Sequence, residues 1–92
     1  MATFNGTQDP QDKLDRTFDW SQWLTGGETI STSSWSISPS GPTLSSQSNT
    51  TTTASVWVTG GTSGTVYALT NHIITSASRE GDRTLNLAIA DL

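Results

Sequence analysis

The stretch GGTSGTVYALTNHIIT, residues 60–75, decides the fold. Gly60, Gly61 and Gly64 let the backbone take positive φ or turn sharply, and the residues that follow are β-branched or aromatic often enough to hold one long strand. Tyr67, Leu69 and Ile73 share one parity, Val66, Ala68 and Ile74 the other, so both faces carry apolar side chains. The pattern predicts a central strand, covered on much of both sides, against which the rest of the chain packs. A tyrosine just after a turn, at the start of such a strand, is also where two-sheet sandwiches anchor a corner by bonding its hydroxyl to nearby backbone.

Working outward, Ser76-Ala77-Ser78-Arg79-Glu80-Gly81-Asp82 reads as a charged hairpin loop. Residues 83–91 then return, with Leu85, Leu87 and Ile89 alternating with Thr84, Asn86 and Ala88. Upstream, residues 54–59 form a strand with Val56 and Val58 on one face and Trp57 on the other. Residues 43–53 hold one large apolar side chain, Leu44, so they suit an edge strand and loop. Pro39-Ser40-Gly41-Pro42 ends a strand over residues 28–38, in which Ile30 and the pair Trp35 and Ile37 differ in parity. That change predicts a bulge across Ser31-Thr32-Ser33-Ser34. In residues 14–20, Leu14, Phe18 and Trp20 alternate with Asp15, Thr17 and Asp19, the pattern of a half-buried first strand. Trp20 and Trp23 are placed to plug one end of the core.

Residues 1–13 are polar and close on Asp9-Pro10-Gln11-Asp12-Lys13, and Asp-Pro starts turns and blocks helix before it. They read as an extended arm, poorly ordered alone, with Phe4 as its one large apolar side chain. Two readings stand: a frayed terminus, or an arm that orders on a neighbouring subunit. Residues 14–92 form the folded domain.

Composition narrows the function. Ninety-two residues make one domain, burying roughly 60–65% of the unfolded surface, too little for a large enclosed active site. Without cysteine there is no disulfide framework or thiolate metal site, and the apolar runs are too short to span a membrane. The start of the chain lacks the basic and apolar regions of a signal peptide, which suits synthesis in the cytoplasm. A net charge of −4 with four basic residues, Lys13, Arg16, Arg79 and Arg83, is wrong for a phosphate backbone, so no nucleic-acid partner is expected. Residues 29–78 contain no Asp, Glu, Lys or Arg, and 31 of the 92 residues are Ser or Thr. Such a surface has little charge repulsion and tolerates crowding against other subunits.

No catalytic constellation emerges. The one histidine, His72, sits mid-strand with no acid near it in sequence, where a nucleophile's base needs a partner. One histidine without cysteine makes a zinc site improbable, and the acids Asp9, Asp12, Asp15 and Asp19 lack the glycine and terminal glutamate of a calcium loop. Asn5-Gly6-Thr7 and Asn49-Thr50-Thr51 fit the glycosylation pattern, but that pattern needs a secretory route. No cofactor, metal or catalytic residue is expected.

Six or seven short strands with turn signals and no long helix predict an all-β, immunoglobulin-like antiparallel β-sandwich with an extended N-terminal arm; a small barrel is the runner-up. The core candidates are Trp20, Trp35, Tyr67, Leu69, Leu85 and Leu87.

The residues also carry a family likeness. Asp9-Pro10-Gln11-Asp12-Lys13-Leu14-Asp15, Phe18-Asp19-Trp20-Ser21-Gln22-Trp23-Leu24, Glu28-Thr29-Ile30, Trp35, residues 56–65, Tyr67 and Thr70-Asn71 together resemble small tailed-bacteriophage virion proteins of the fibre-tail adaptor-like family. The likeness runs over residues 9–89, with departures at the threonine run 50–53 and at Arg16, where an aromatic residue is the family expectation. It implies an immunoglobulin-like fold and a structural virion subunit without catalysis, in several symmetry-related copies. Its partners would be tail, fibre, collar or capsid subunits, with no membrane.

Three functions follow as expectations: an adaptor in the tail or neck region attaching fibres or collar to the tail, a capsid decoration (cement) protein, or a carbohydrate-binding module using Trp20, Trp23, Trp35 and Trp57. For docking, the arm offers Phe4, Asp9, Pro10 and Asp12, and the charged loop offers Arg79, Glu80, Asp82 and Arg83, as mobile backbone with unused hydrogen bonds and charges.

Overall fold

Tyr67 lies opposite Leu87 and Leu69 opposite Leu85 in an antiparallel ladder between two ten-residue strands, and this hairpin is the spine of the molecule. The computed structural model describes residues 2–91 and places seven strands: β1 (Ala2–Gln8), β2 (Lys13–Asp19), β3 (Ile30–Ser38), β4 (Thr43–Asn49), β5 (Thr53–Thr59), β6 (Val66–Thr75) and β7 (Glu80–Ile89). They form a four-stranded sheet in the order β1-β7-β6-β3 and a three-stranded sheet in the order β2-β5-β4. β3-β6-β7 facing β2-β5-β4 is the strand arrangement of an immunoglobulin-type sandwich.

Period-two alternation builds the core. Tyr67, Leu69 and Ile73 of β6, Leu85, Leu87 and Ile89 of β7, and Ala54, Val56 and Val58 of β5 point inward and are buried, joined by Phe18, Trp20 and Ile30. Trp35 is half-buried and stacks on Phe18 with ring centroids 5.5 Å apart. Fully burying one such aliphatic or aromatic side chain contributes about 1.5–3 kcal/mol. The corner forms at Tyr67, whose hydroxyl oxygen accepts a 2.9 Å hydrogen bond from the Thr62 amide. Gly61 is required beside it: its φ is +100°, and a Cβ there would stand 2.9 Å from Ile89.

Four expectations need correction. The first concerns β6, which is central but buried on one face only: Val66 is exposed, and Ala68, Thr70, His72 and Ile74 form a half-covered outer face. No third layer packs on that face among the described residues, so polar Thr70 and His72 are tolerated there. Second, residues 2–8 are not an arm outside the sandwich. They form β1, paired parallel with β7 from Ala2 opposite Arg83 to Gln8 opposite Ile89, so the edge of β7 is satisfied by the chain's own N-terminal segment.

Third, the charged hairpin loop is shorter than its sequence suggests. The chain turns over residues 75–79, with Ser78 at positive φ, and β7 already begins at Glu80. Fourth, Leu14 does not share the burial of Phe18 and Trp20, because it lies at the start of an edge strand and is 40% exposed.

β3 carries its register shift between Ile30 and Thr32, and β4 is an edge strand whose ladder with β5 breaks between Ser45 and Ser48. The threonine run makes a tight turn: Thr50 Oγ1 accepts hydrogen bonds from the amides of Thr52 and Thr53.

Candidate docking site

The segment 79–83 was expected to present unused charges, but every one of its four charged side chains is engaged within the domain. Alternation sends Arg79, Gly81 and Arg83 to one side of β7 and Glu80 and Asp82 to the other. The Arg79 guanidinium grips Glu28 through two bonds, Nη2 to Oε1 at 2.5 Å and Nε to Oε2 at 2.9 Å, and lies 4.2 Å above the Trp23 ring. Arg79, and next the Thr75 hydroxyl, hold the Glu28 carboxyl down to a pKa of about 2. The Arg83 guanidinium covers the Trp20 ring at 4.1 Å and donates a 2.6 Å bond to the Asp19 carbonyl. Gly81 is the space between them, since a Cβ there would meet both indoles at 3.1 Å. Trp20 and Trp23 stand edge to face at 5.2 Å, and this end of the sandwich is closed.

On the other side of the strand, Asp82 lies opposite His72 in register. Asp82 Oδ1 is 2.5 Å from Nδ1, and Glu80 Oε1 is 2.9 Å from Nε2. With a carboxylate at each ring nitrogen, both are satisfied only when both donate, so the pair, Asp82 foremost, raises the His72 pKa. The acids missing from its sequence neighbourhood come from the next strand. Both nitrogens are occupied by carboxylates, which favour the charged form of the ring and brace it on the sheet surface. Among the described residues no group of three His, Asp or Glu could hold a metal ion.

The other docking candidates lie around the β1–β2 turn. Asp9 accepts the Gln11 amide on its side chain and the Asp12 amide on its carbonyl, with Pro10 at the bend. The Asp12 carbonyl receives Gln8 Nε2 at 3.3 Å and the Thr59 hydroxyl at 3.2 Å, so the turn is fastened to β5. The side chain of Phe4 lies outside the described residues. The structure therefore brings Asp9, Pro10 and Asp12 together at one turn and separates them from Arg79, Glu80, Asp82 and Arg83.

Two residues that the sequence did not mark for this role hold the turn in place. Gln8 is fully buried; its Nε2 donates to the Val58 carbonyl at 2.8 Å, and its Oε1 accepts from Arg16 Nη2 at 2.9 Å. Arg16 also donates to the Thr7 carbonyl at 3.0 Å. The one available signal was Arg16 itself, a cation at an inward-facing parity.

The indoles do not form one platform. Trp20 is buried, Trp23 and Trp35 pack against the core, and Trp57 alone is exposed, at 39%. It sits on the outer face of the three-stranded sheet between Asp15 and Ser45, with the Lys13 ammonium 5.9 Å from its ring.

No curated protein matches the chain. A family model does, over residues 8–88, from the buried Gln8 through nearly all of β7. Its family is one of phage structural adaptors rather than enzymes. The match takes in β2 to β6 whole and β7 as far as Ala88, and the chain belongs to the podophage GP4 fiber-tail adaptor protein gp77 family.

Proposed function

We propose that this chain acts without catalysis as a protein link in the tail region of a phage particle, joining fibres or collar to the tail in several symmetry-related copies. The observation that carries the proposal is the family match over residues 8–88, which covers the whole fold from β2 to Ala88. The geometry supports it: a sandwich whose charged side chains at residues 79–83 are all engaged within the domain offers rigid edges and faces for docking. Asp9, Pro10 and Asp12 on the fastened turn, and the outer face around Trp57, are the docking surfaces this reading assigns. Arg79, Glu80, Asp82 and Arg83 support the adaptor by stiffening its end.

The test is cryo-electron microscopy of purified particles in which mass spectrometry has detected the protein. Density for the sandwich between tail and fibre is the expected result. Density on the capsid lattice would replace the adaptor with a decoration protein, and absence of the chain from particles would overturn both.

A further inference from the structure

The two sheets are unequal at one side. In the constant-type immunoglobulin layout a first strand lies beside the second, in the same sheet. Here β1 pairs with β7 in the opposite sheet, and β2 is an edge strand with no partner on its outer side among the described residues.

That outer side is open to strand addition. In an antiparallel pair successive residues turn their main-chain groups alternately toward and away from the partner. The Trp20 amide donates to the Thr52 carbonyl at the entry to β5, so the even-numbered residues of β2 face β5. The odd-numbered residues Asp15, Thr17 and Asp19 face outward, and Arg83 takes the Asp19 carbonyl from that side.

Beneath this edge runs a groove of about 460 Å³, lined by Asp15, Arg16, Thr17, Phe18, Arg83 and Leu85 among others. Phe18 and Leu85, each 8% exposed, are the least covered members of the core, and both lie in it. The two cations at the groove are engaged internally, Arg16 on Gln8 and Thr7 and Arg83 on Asp19 and Trp20. Asp15 forms no hydrogen bond or ion pair among the described residues.

We infer that the outer edge of β2 is a strand-acceptor site, filled in the particle by an extended segment of a partner virion protein. The segment adds antiparallel or parallel to β2 through the main chain of Asp15 and Thr17. It sets an apolar side chain over Phe18 and Leu85 and a lysine or arginine beside Asp15. Charge complementarity selects the basic flank, since Asp15 is the unengaged charge at the rim of a chain of net charge −4. The inference rests on the adaptor reading, because it names the kind of partner segment such an adaptor would hold.

The test uses phage carrying the wild-type chain, Thr17→Pro or Asp15→Lys. Proline at 17 removes an outward amide without touching the ladder to β5, and edge strands tolerate it. Asp15→Lys leaves the backbone intact and reverses the rim charge. Mass spectrometry of purified particles is expected to show incorporation of Thr17→Pro reduced about tenfold or more, the scale of losing one or two hydrogen bonds of a docked strand. A several-fold loss is expected for Asp15→Lys.

Hydrogen exchange should show the outward amides of Asp15 and Thr17 protected in particles and fast-exchanging in the isolated protein. Wild-type incorporation of both variants, or no gain of protection at the Asp15 and Thr17 amides, would overturn the site. If Thr17→Pro fails to fold, Asp15→Lys and the exchange measurement still decide. A dimer of the isolated chain protected at the amides of Asp15 and Thr17 would overturn the partner in favour of a second copy. Absence of the wild-type chain from particles would instead overturn the adaptor reading.

Discussion

Trp20 Nε1 donates a 2.9 Å hydrogen bond to Asn71 Oδ1, tying the end of β2 to the middle of β6 inside the sandwich. Asn71 is fully buried and its amide nitrogen donates in turn to Ser33 Oγ and the Ser34 carbonyl, at 2.9 and 3.0 Å. One side chain thus links β6 both to its sheet neighbour β3 and, through Trp20, to the opposite sheet.

Asn71→Leu keeps the volume and removes every one of these bonds, stranding the indole N–H in the core. A loss of about 2–4 kcal/mol is expected, read as a lower midpoint in urea. Trp20→Phe strands only the Asn71 oxygen but also shrinks the end plug, so a loss of similar size is expected from a different cause.

Gly81→Ala places a methyl group 3.1 Å from the rings of both Trp20 and Trp23. Neither ring can retreat freely, because Arg83 and Arg79 cover their outer faces. Overpacking of this kind costs about 1–3 kcal/mol, and thermal unfolding of the variant should show it.

His72 makes stability fall as pH rises. Its folded pKa is raised above the ordinary 6.5, so its contribution is complete below about 6.5 and is lost as pH rises through the raised value. Urea midpoints of wild type against His72→Gln, taken in a pH series that starts below the ordinary histidine value and runs upward, should differ most at the acid end and converge as pH rises.

Glu28 does the opposite. Its pKa is lowered from 4.5 to about 2, so its stabilisation is present above 4.5 and is lost as pH falls toward 2. Glu28→Gln should flatten that acid limb, and Arg79→Met should do the same, because Arg79 is the larger cause of the shift.

Deleting residues 1–12 should destabilise the domain, since it removes β1 and the buried Gln8 together. The finer variant Gln8→Ala leaves the Val58 carbonyl and the Arg16 guanidinium without this partner, at a cost of about 1–3 kcal/mol. Loss of particle incorporation in the deletion therefore reports folding as well as docking, and is to be read beside Gln8→Ala.

The sequence by itself determined the class of fold, the β6–β7 hairpin, the bulge after Ile30 and the inward set Leu69, Leu85, Leu87 and Ile89. These depend on local rules: side chains alternate along a strand, and glycine or proline interrupts it. What charged and polar groups do was decided only in three dimensions. Arg79 meets Glu28 across 51 residues, and His72 acquires Asp82 because the hairpin register sets them side by side. The N-terminal strand becomes part of the sandwich because β7, at the far end of the chain, has an edge to fill. A carboxylate or amide carries no period in sequence; its role follows from whichever partner the fold brings within hydrogen-bonding distance, and only the packed sheets define that.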